Sequence, residues 1–172
     1  MDKGYVQVYT GDGKGKSTAM LGLAMRAYGA GFSVYIGQFV KSMEYHEVGV
    51  IRELMPRITI EQYGFGCTIE RGVTEEDILA AKSGLEKARE MVFSGKYDIV
   101  VLDEINIALY LKLLDVSDVL ELIKTKPSGV ELVLTGRYAP KEVIAVADLV
   151  SEMVEVKHYY RDGVTSRVGI ER

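Results

Sequence analysis

Thr10-Gly11-Asp12-Gly13-Lys14-Gly15-Lys16-Ser17-Thr18 sets glycines at alternate positions and ends on Gly-Lys-Ser. A run of this kind can cradle phosphate. Glycines at 11, 13 and 15 permit backbone conformations and close approaches that side chains would block, so several N–H groups can converge on phosphate oxygens. Lys16 can neutralise phosphate charge, and the Ser17 hydroxyl is the expected magnesium ligand. Each charge-assisted hydrogen bond contributes about 1.5–3 kcal/mol, so several together can hold a triphosphate. The general pattern G-x-x-x-x-G-K-[ST] has glycine in its first place, where this chain has Thr10.

Two further positions carry charge to the same kind of place. Asp103 and Glu104 follow the apolar run at 99–102, and the carboxyl edge of a buried strand is where open α/β sheets bind ligands. Either carboxylate could hold magnesium, directly or through water. Neighbours on a strand face opposite sides, so spacing leaves the choice open, and capping of the next helix is the alternative role. Thr135-Gly136-Arg137 repeats the geometry after the run at 130–134. Arg137 there could reach a triphosphate; a solvated surface arginine is the other reading.

These residues need a sheet to position them, and the chain alternates strand-like and helix-like segments throughout. Residues 5–9 read as the first strand and 16–28 as the first helix, closed by Gly29 and Gly31. Residues 33–39 form the second strand, 40–54 a loop with a short helix, and 57–62 a third strand. Thr74 before Glu75, Glu76 and Asp77 marks a helix start, with apolar positions at helical spacing to a stop near Gly95. A central strand at 98–102 is followed by helices at 107–113 and 116–124, a strand at 130–134, a helix at 141–147, and strands near Val154 and Val168. The expected fold is α/β: a mostly parallel sheet with helices on both faces, of P-loop NTPase (RecA-like) architecture. At 172 residues one domain over 1–172 is expected.

Composition narrows the partners. Apolar residues make up 48% and charged residues 27%, a globular balance. The 21 Lys and Arg against 25 Asp and Glu, net charge −4, argue against nucleic acid as a partner. Tyr159-Tyr160-Arg161 offers two rings for base stacking, but such a pair more often packs a sheet edge or an interface. The apolar runs are too short to cross a bilayer, and no signal peptide is expected ahead of the first strand. One cysteine, Cys67, and two separated histidines, His46 and His158, fit a reducing cytoplasm without a structural zinc site.

The ordered motifs, over nearly the whole chain, resemble the ATP:corrinoid adenosyltransferases. The likeness rests on Tyr9 to the Ser17-Thr18 pair, on Arg26-Ala27 leading to Gly29 and Gly31, and on Gln38-Phe39-Val40-Lys41. It continues through Leu102-Asp103-Glu104-Ile105-Asn106, Leu134-Thr135-Gly136-Arg137, Ala147-Asp148-Leu149-Val150-Ser151-Glu152-Met153 and Val156-Lys157-His158, with Gly163-Val164 and Gly169-Ile170 beyond. The family's own phosphate loop resembles this one, Thr10 included.

The resemblance implies transfer of the 5′-deoxyadenosyl group of ATP to Co(I) of a reduced corrinoid, with release of tripolyphosphate, in adenosylcobalamin biosynthesis or salvage. It implies Lys16, Glu104 and Arg137 as catalytic groups and Ser17 and Glu104 as magnesium positions. Thr10 to Thr18 would hold the nucleotide, reversed relative to ordinary P-loop enzymes, with Arg26 on the first helix. For Arg26 a salt bridge within the fold is the competing role. A homodimer and an electron-donating reductase are implied as partners. Tyr63-Gly64-Phe65-Gly66-Cys67-Thr68-Ile69-Glu70 resembles a loop whose aromatic residues crowd the lower face of the corrin ring. Phe65 keeps one aromatic there, whereas Cys67 stands where a tryptophan is often found and the chain has none, so either Tyr63 or another residue compensates or the protein handles corrinoids poorly. Competing readings are an NTPase or kinase acting on the terminal phosphate, and a nucleotide-dependent corrinoid-binding module without turnover.

Overall fold

The computed structural model describes residues 1–41, 43, 45–65 and 72–171. Strand β1 (Val6–Thr10) leads into helix α1 (Lys16–Gly29), then β2 (Val34–Phe39), α2 (His46–Leu54) and β3 (Ile58–Tyr63). After the long α3 (Glu75–Phe93) come β4 (Ile99–Asp103), α4 (Ile105–Tyr110), α5 (Val116–Thr125), β5 (Glu131–Thr135), α6 (Lys141–Val146) and β6 (Leu149–Glu152), with a 3-10 turn at Tyr159–Asp162. The strands form one sheet in the order β3-β2-β4-β5-β1-β6. Every pairing is parallel.

Alternation along the central strands sorts their side chains into two cores. Val100 and Leu102 of β4 join Val8, Leu132 and Leu134 beneath α3, α4 and α5. Ile99 and Val101 face the other way, with Val133 and Ile36, against Met20, Ala24 and Ala27 of α1 and Val48 and Ile51 of α2. Each fully enclosed aliphatic side chain of this kind contributes about 1.5–3 kcal/mol relative to exposure. Among the described residues no helix is long and apolar enough to cross a membrane.

Local signals explain the helix ends. Thr74 and Asp77 form a reciprocal capping box: the Asp77 N–H donates to Thr74 Oγ1 at 3.4 Å and the Thr74 N–H to Asp77 Oδ2 at 2.9 Å. Thr74→Ala is expected to lower the unfolding free energy by about 1 kcal/mol, read as a lower midpoint in urea; an unmoved midpoint would show that the box contributes nothing. At the end of α1, Gly31 takes φ 91° after Ala30, as a glycine placed beyond a helix should.

Two sequence expectations are corrected. The last strand lies at Leu149–Glu152, ahead of Val154, and Val168 sits in a turn. Val154 and Val168 alternate with polar residues in a strand-like way, but a strand also needs a neighbouring backbone, and β6 is already the edge of the sheet. The chain leaves β6 at Met153, whose carbonyl accepts from the Gly13 N–H at 2.6 Å, and folds across the loop after β1.

Candidate functional site

All strands point their carboxyl ends to one edge, and the loops after β1, β2, β4 and β5 gather there around a cavity of about 660 Å³. The loop after β1 forms one wall. Its Gly15 stands at φ 123° as the N-cap of α1. No side chain caps that helix end and no acidic residue occupies its first turn. The positive end of α1 is therefore left for an anion from outside the helix.

Gly11 and Gly13 serve a different neighbour from the one the sequence suggests. A Cβ on Gly11 would lie 2.4 Å from the Met153 carbonyl oxygen, and one on Gly13 would lie 2.7 Å from the same oxygen and 2.8 Å from the Val154 backbone. These two glycines admit the segment after β6 against the back of the loop, and the Gly13 N–H is spent on it. The same segment closes the site's rim: Lys14 Nζ donates to the Ile170 carbonyl at 2.8 Å and to Glu171 Oε1 at 3.2 Å. Arg167 and Tyr159 also bind the Glu171 carboxylate, and Arg167 first among these holds its pKa well below the usual range.

Lys16 lies within the loop, 7% exposed, and its ammonium donates to the carbonyls of Gly11 and Gly13 at 2.7 Å each. Burial lowers its pKa, opposed by the charge of Glu104. These bonds place an ammonium under the mouth of α1. Backbone carbonyls are weaker partners than phosphate oxygens, so an arriving polyphosphate can take the ammonium over.

Asp103 is the hub on the β4 side. It is fully buried and accepts four donors: Lys41 Nζ at 2.6 Å, Thr135 Oγ1 at 2.7 Å, Ser17 Oγ at 3.0 Å and Gln38 Nε2 at 3.1 Å. The sheet register makes this possible, because Gln38 of β2 lies beside Asp103 and Leu134 beside Leu102. Burial would raise the carboxyl pKa, but the Lys41 charge and the hydrogen bonds from Lys41, Thr135 and Ser17 hold it below its ordinary value. Burial likewise would lower Lys41, and Asp103 raises it instead.

Glu104 behaves in the opposite way. It leaves the strand in the left-handed region at φ 61°, with its N–H donating to Thr135 Oγ1 at 3.0 Å, and it lines the cavity. Burial, then the charge of Asp103, raises its pKa. A carboxylate pushed up in this way has unmet demand for a cation. Gly136, at φ 126°, makes room for it: a Cβ there would lie 3.2 Å from Glu104 Oε2 and 3.1 Å from Asn106 Cβ. Asn106 donates to the Gly136 carbonyl, and its buried Oδ1 has no partner among the described residues.

The donor set fits a hard divalent cation. Ser17 Oγ and the carboxylates of Asp103 and Glu104 are all oxygen donors, gathered at the end of the loop after β1. Asp103 is enclosed by its four donors while Glu104 faces the cavity, an arrangement in which Glu104 would meet the ion and Asp103 would orient Ser17.

Of the residues singled out from the sequence, Gly13, Lys14, Gly15, Lys16, Ser17 and Thr18 line the cavity, as do Glu104 and Arg137. Thr10, Gly11, Asp12, Arg26 and Phe65 are not among its lining. Thr10 is buried and accepts from the Ala139 N–H at 3.4 Å, so it ties the loop to the turn after β5. Arg26 is exposed on α1, and its charge acts on Tyr9. Phe65 is 54% exposed at the end of the described segment, and Cys67 lies outside the described residues.

Tyr63 is committed to the interior: its hydroxyl donates to Glu61 Oε2, shares a hydrogen bond with Tyr35 at 2.8 Å, and its ring fills the space over Gly84. Gln38 and Lys41, which the sequence offered only as part of the motif Gln38-Phe39-Val40-Lys41 and without a role, both bind Asp103. A second signal was a lysine two residues beyond a strand end, at the edge where ligands bind.

The family described as ATP:corrinoid adenosyltransferase BtuR/CobO/CobP matches residues 2–172. A corrinoid adenosyltransferase of Sinorhizobium sp is 38% identical over 99% of this chain and 81% of its own length. One from Pseudomonas aeruginosa is 34% identical over 99% and 84%, and corrinoid adenosyltransferase CobA of Salmonella typhimurium is 32% identical over 99% and 86%.

Proposed function

Because the chain belongs to the ATP:corrinoid adenosyltransferase family, we propose that its cavity binds the triphosphate of ATP at the mouth of α1 and passes the 5′-deoxyadenosyl group to a reduced corrinoid. The Co(I) centre is the nucleophile. Its electron pair forms the cobalt–carbon bond at C5′, and the C5′–oxygen pair departs on tripolyphosphate. No proton has to be removed in that step, so the protein needs orientation and charge stabilisation and no strong base.

The observation that carries this reading is the Lys16 ammonium, buried on two loop carbonyls beneath an uncapped helix end. It supplies positive charge where the leaving tripolyphosphate gains negative charge. Arg137 lines the same cavity from the β5 side and supplies more. Ser17 and Glu104 would hold magnesium, with Asp103 fixing the serine hydroxyl. When bound there, magnesium neutralises phosphate charge and favours departure of the leaving group.

Residues 1–172 act as one domain in this reading, in the cytoplasm, and a reductase delivers the electron that makes Co(I). A homodimer belongs to it as well. Leu149 and Val150 on the outer strand, and Val156 after it at 92% exposed, leave apolar surface that a second copy would cover.

The test is anaerobic incubation with chemically reduced cob(I)alamin, magnesium and ATP, following the visible spectrum and assaying the phosphate products. Light-sensitive adenosylcobalamin with stoichiometric tripolyphosphate is expected. Release of inorganic phosphate without alkylation would replace this reading with NTP hydrolysis.

A further inference from the structure

Val40 has φ 58°. A β-branched residue rarely enters the left-handed region, because its Cβ crowds the backbone there, and such strain persists only where the surroundings impose it. Here the strained turn follows β2 and precedes Lys41, and the Val40 N–H is fixed by the Tyr63 carbonyl at 3.0 Å. The turn delivers the Lys41 side chain back onto the carboxyl end of β4.

Lys41 reaches the serine oxygen assigned above to the divalent ion and the carboxylate that orients it. Its ammonium lies 2.6 Å from Asp103 Oδ2 and 3.3 Å from Ser17 Oγ, and its charge also acts on Glu104. The Tyr45 ring stands 5.3 Å from Nζ and completes its surroundings on the cavity wall. A structural ion pair would require only Asp103. Contact with the serine hydroxyl as well puts a positive charge within the ligand set of the metal.

Two cations cannot share those oxygens without strong repulsion in a partly dry site. We propose that Lys41 is the resident cation of the metal site: without nucleotide its ammonium holds Ser17 and Asp103 in place and keeps free divalent ions out. When metal arrives with the polyphosphate, the ammonium shifts from Ser17 to a phosphate oxygen. Lys41 is thus a positioning residue that couples metal entry to nucleotide entry. The inference rests on the magnesium site of the proposed function.

Manganese titration followed by electron paramagnetic resonance separates the two. Wild-type protein should bind Mn²⁺ weakly alone and more tightly with ATP. Lys41→Met should bind Mn²⁺ without nucleotide about tenfold more tightly than wild type, Lys41→Arg should stay weak, and adding Asp103→Asn to Lys41→Met should remove the gain. Unchanged Mn²⁺ affinity in Lys41→Met, with wild type still binding Mn²⁺ in the presence of ATP, would overturn the role of Lys41 and leave the metal site standing. No Mn²⁺ bound by wild type with ATP would overturn both. Should Lys41→Met not fold, the Lys41 ammonium resonance of ¹⁵N-lysine wild-type protein, identified by its loss in Lys41→Arg, gives the same decision. It should shift on adding magnesium and ATP together, and an unmoved resonance would sink the proposal.

Discussion

Lys16→Ala is expected to lower adenosyl transfer by about a hundredfold to a thousandfold, the usual cost of removing one preorganised charge partner from a developing anion. The loss should appear in kcat, because charge accumulates on tripolyphosphate only as the C5′–oxygen bond breaks. ATP binding should weaken as well, since the ground-state triphosphate is already anionic. Structural damage should be limited: the variant loses two hydrogen bonds to the carbonyls of Gly11 and Gly13, about 1 kcal/mol each. Single-turnover rates with preformed cob(I)alamin, beside a thermal melt, decide the matter. A folded variant with the parent rate would remove Lys16 from the chemistry.

Asp103→Asn is expected to damage both stability and function. Asparagine cannot accept from four donors as a carboxylate does, and the substitution strips the partner from Lys41, whose side chain is 15% exposed. Leaving one member of such an enclosed pair uncompensated costs about 3–5 kcal/mol. Ser17 loses its anchor at the same time, so metal-dependent activity should fall by about 10–100-fold, as for other residues that orient a ligand. Urea unfolding and a magnesium titration of the transfer rate measure the two effects separately. Parent stability together with parent magnesium dependence would contradict the assignment of Asp103 as the hub.

Much of this site was legible because its parts follow simple spacing. The glycine-lysine-serine run between a strand and a helix located the loop that forms one wall of the cavity, and the carboxylates after the apolar run at 99–102 located the facing wall, which Glu104 lines. Roles within the loop were less legible. Gly11 and Gly13 looked like phosphate contacts, yet their missing Cβ atoms admit Met153 and Val154, which are distant in sequence. No local pattern announces such a packing partner.

Residue spacing alone did not separate Asp103 from Glu104, and only the family resemblance pointed to Glu104 as a magnesium position. Their different surroundings depend on Glu104 taking φ 61°, a conformation glutamate does not advertise, and on the register that sets Gln38 beside Asp103. The inward turn of Lys41 was hidden for the same reason, because it follows the left-handed Val40. The final strand was misplaced by a few residues because alternation alone suggested Val154, while the backbone partner β1 was used up at Glu152.

The sheet order also sets when the loop after β1 can become rigid during synthesis. Strand β1 emerges first, yet its two neighbours, β5 and β6, are the last strands made. Until residues 131–152 have left the ribosome, the loop that follows β1 has no flanking strand on either side and no Met153 to lean on. Pairings between distant parts of a chain form slowly and late. Truncations that remove the residues after 130 should therefore abolish nucleotide binding at the loop after β1, and nascent chains should stay sensitive to protease near Gly11 until residues 131–153 have emerged.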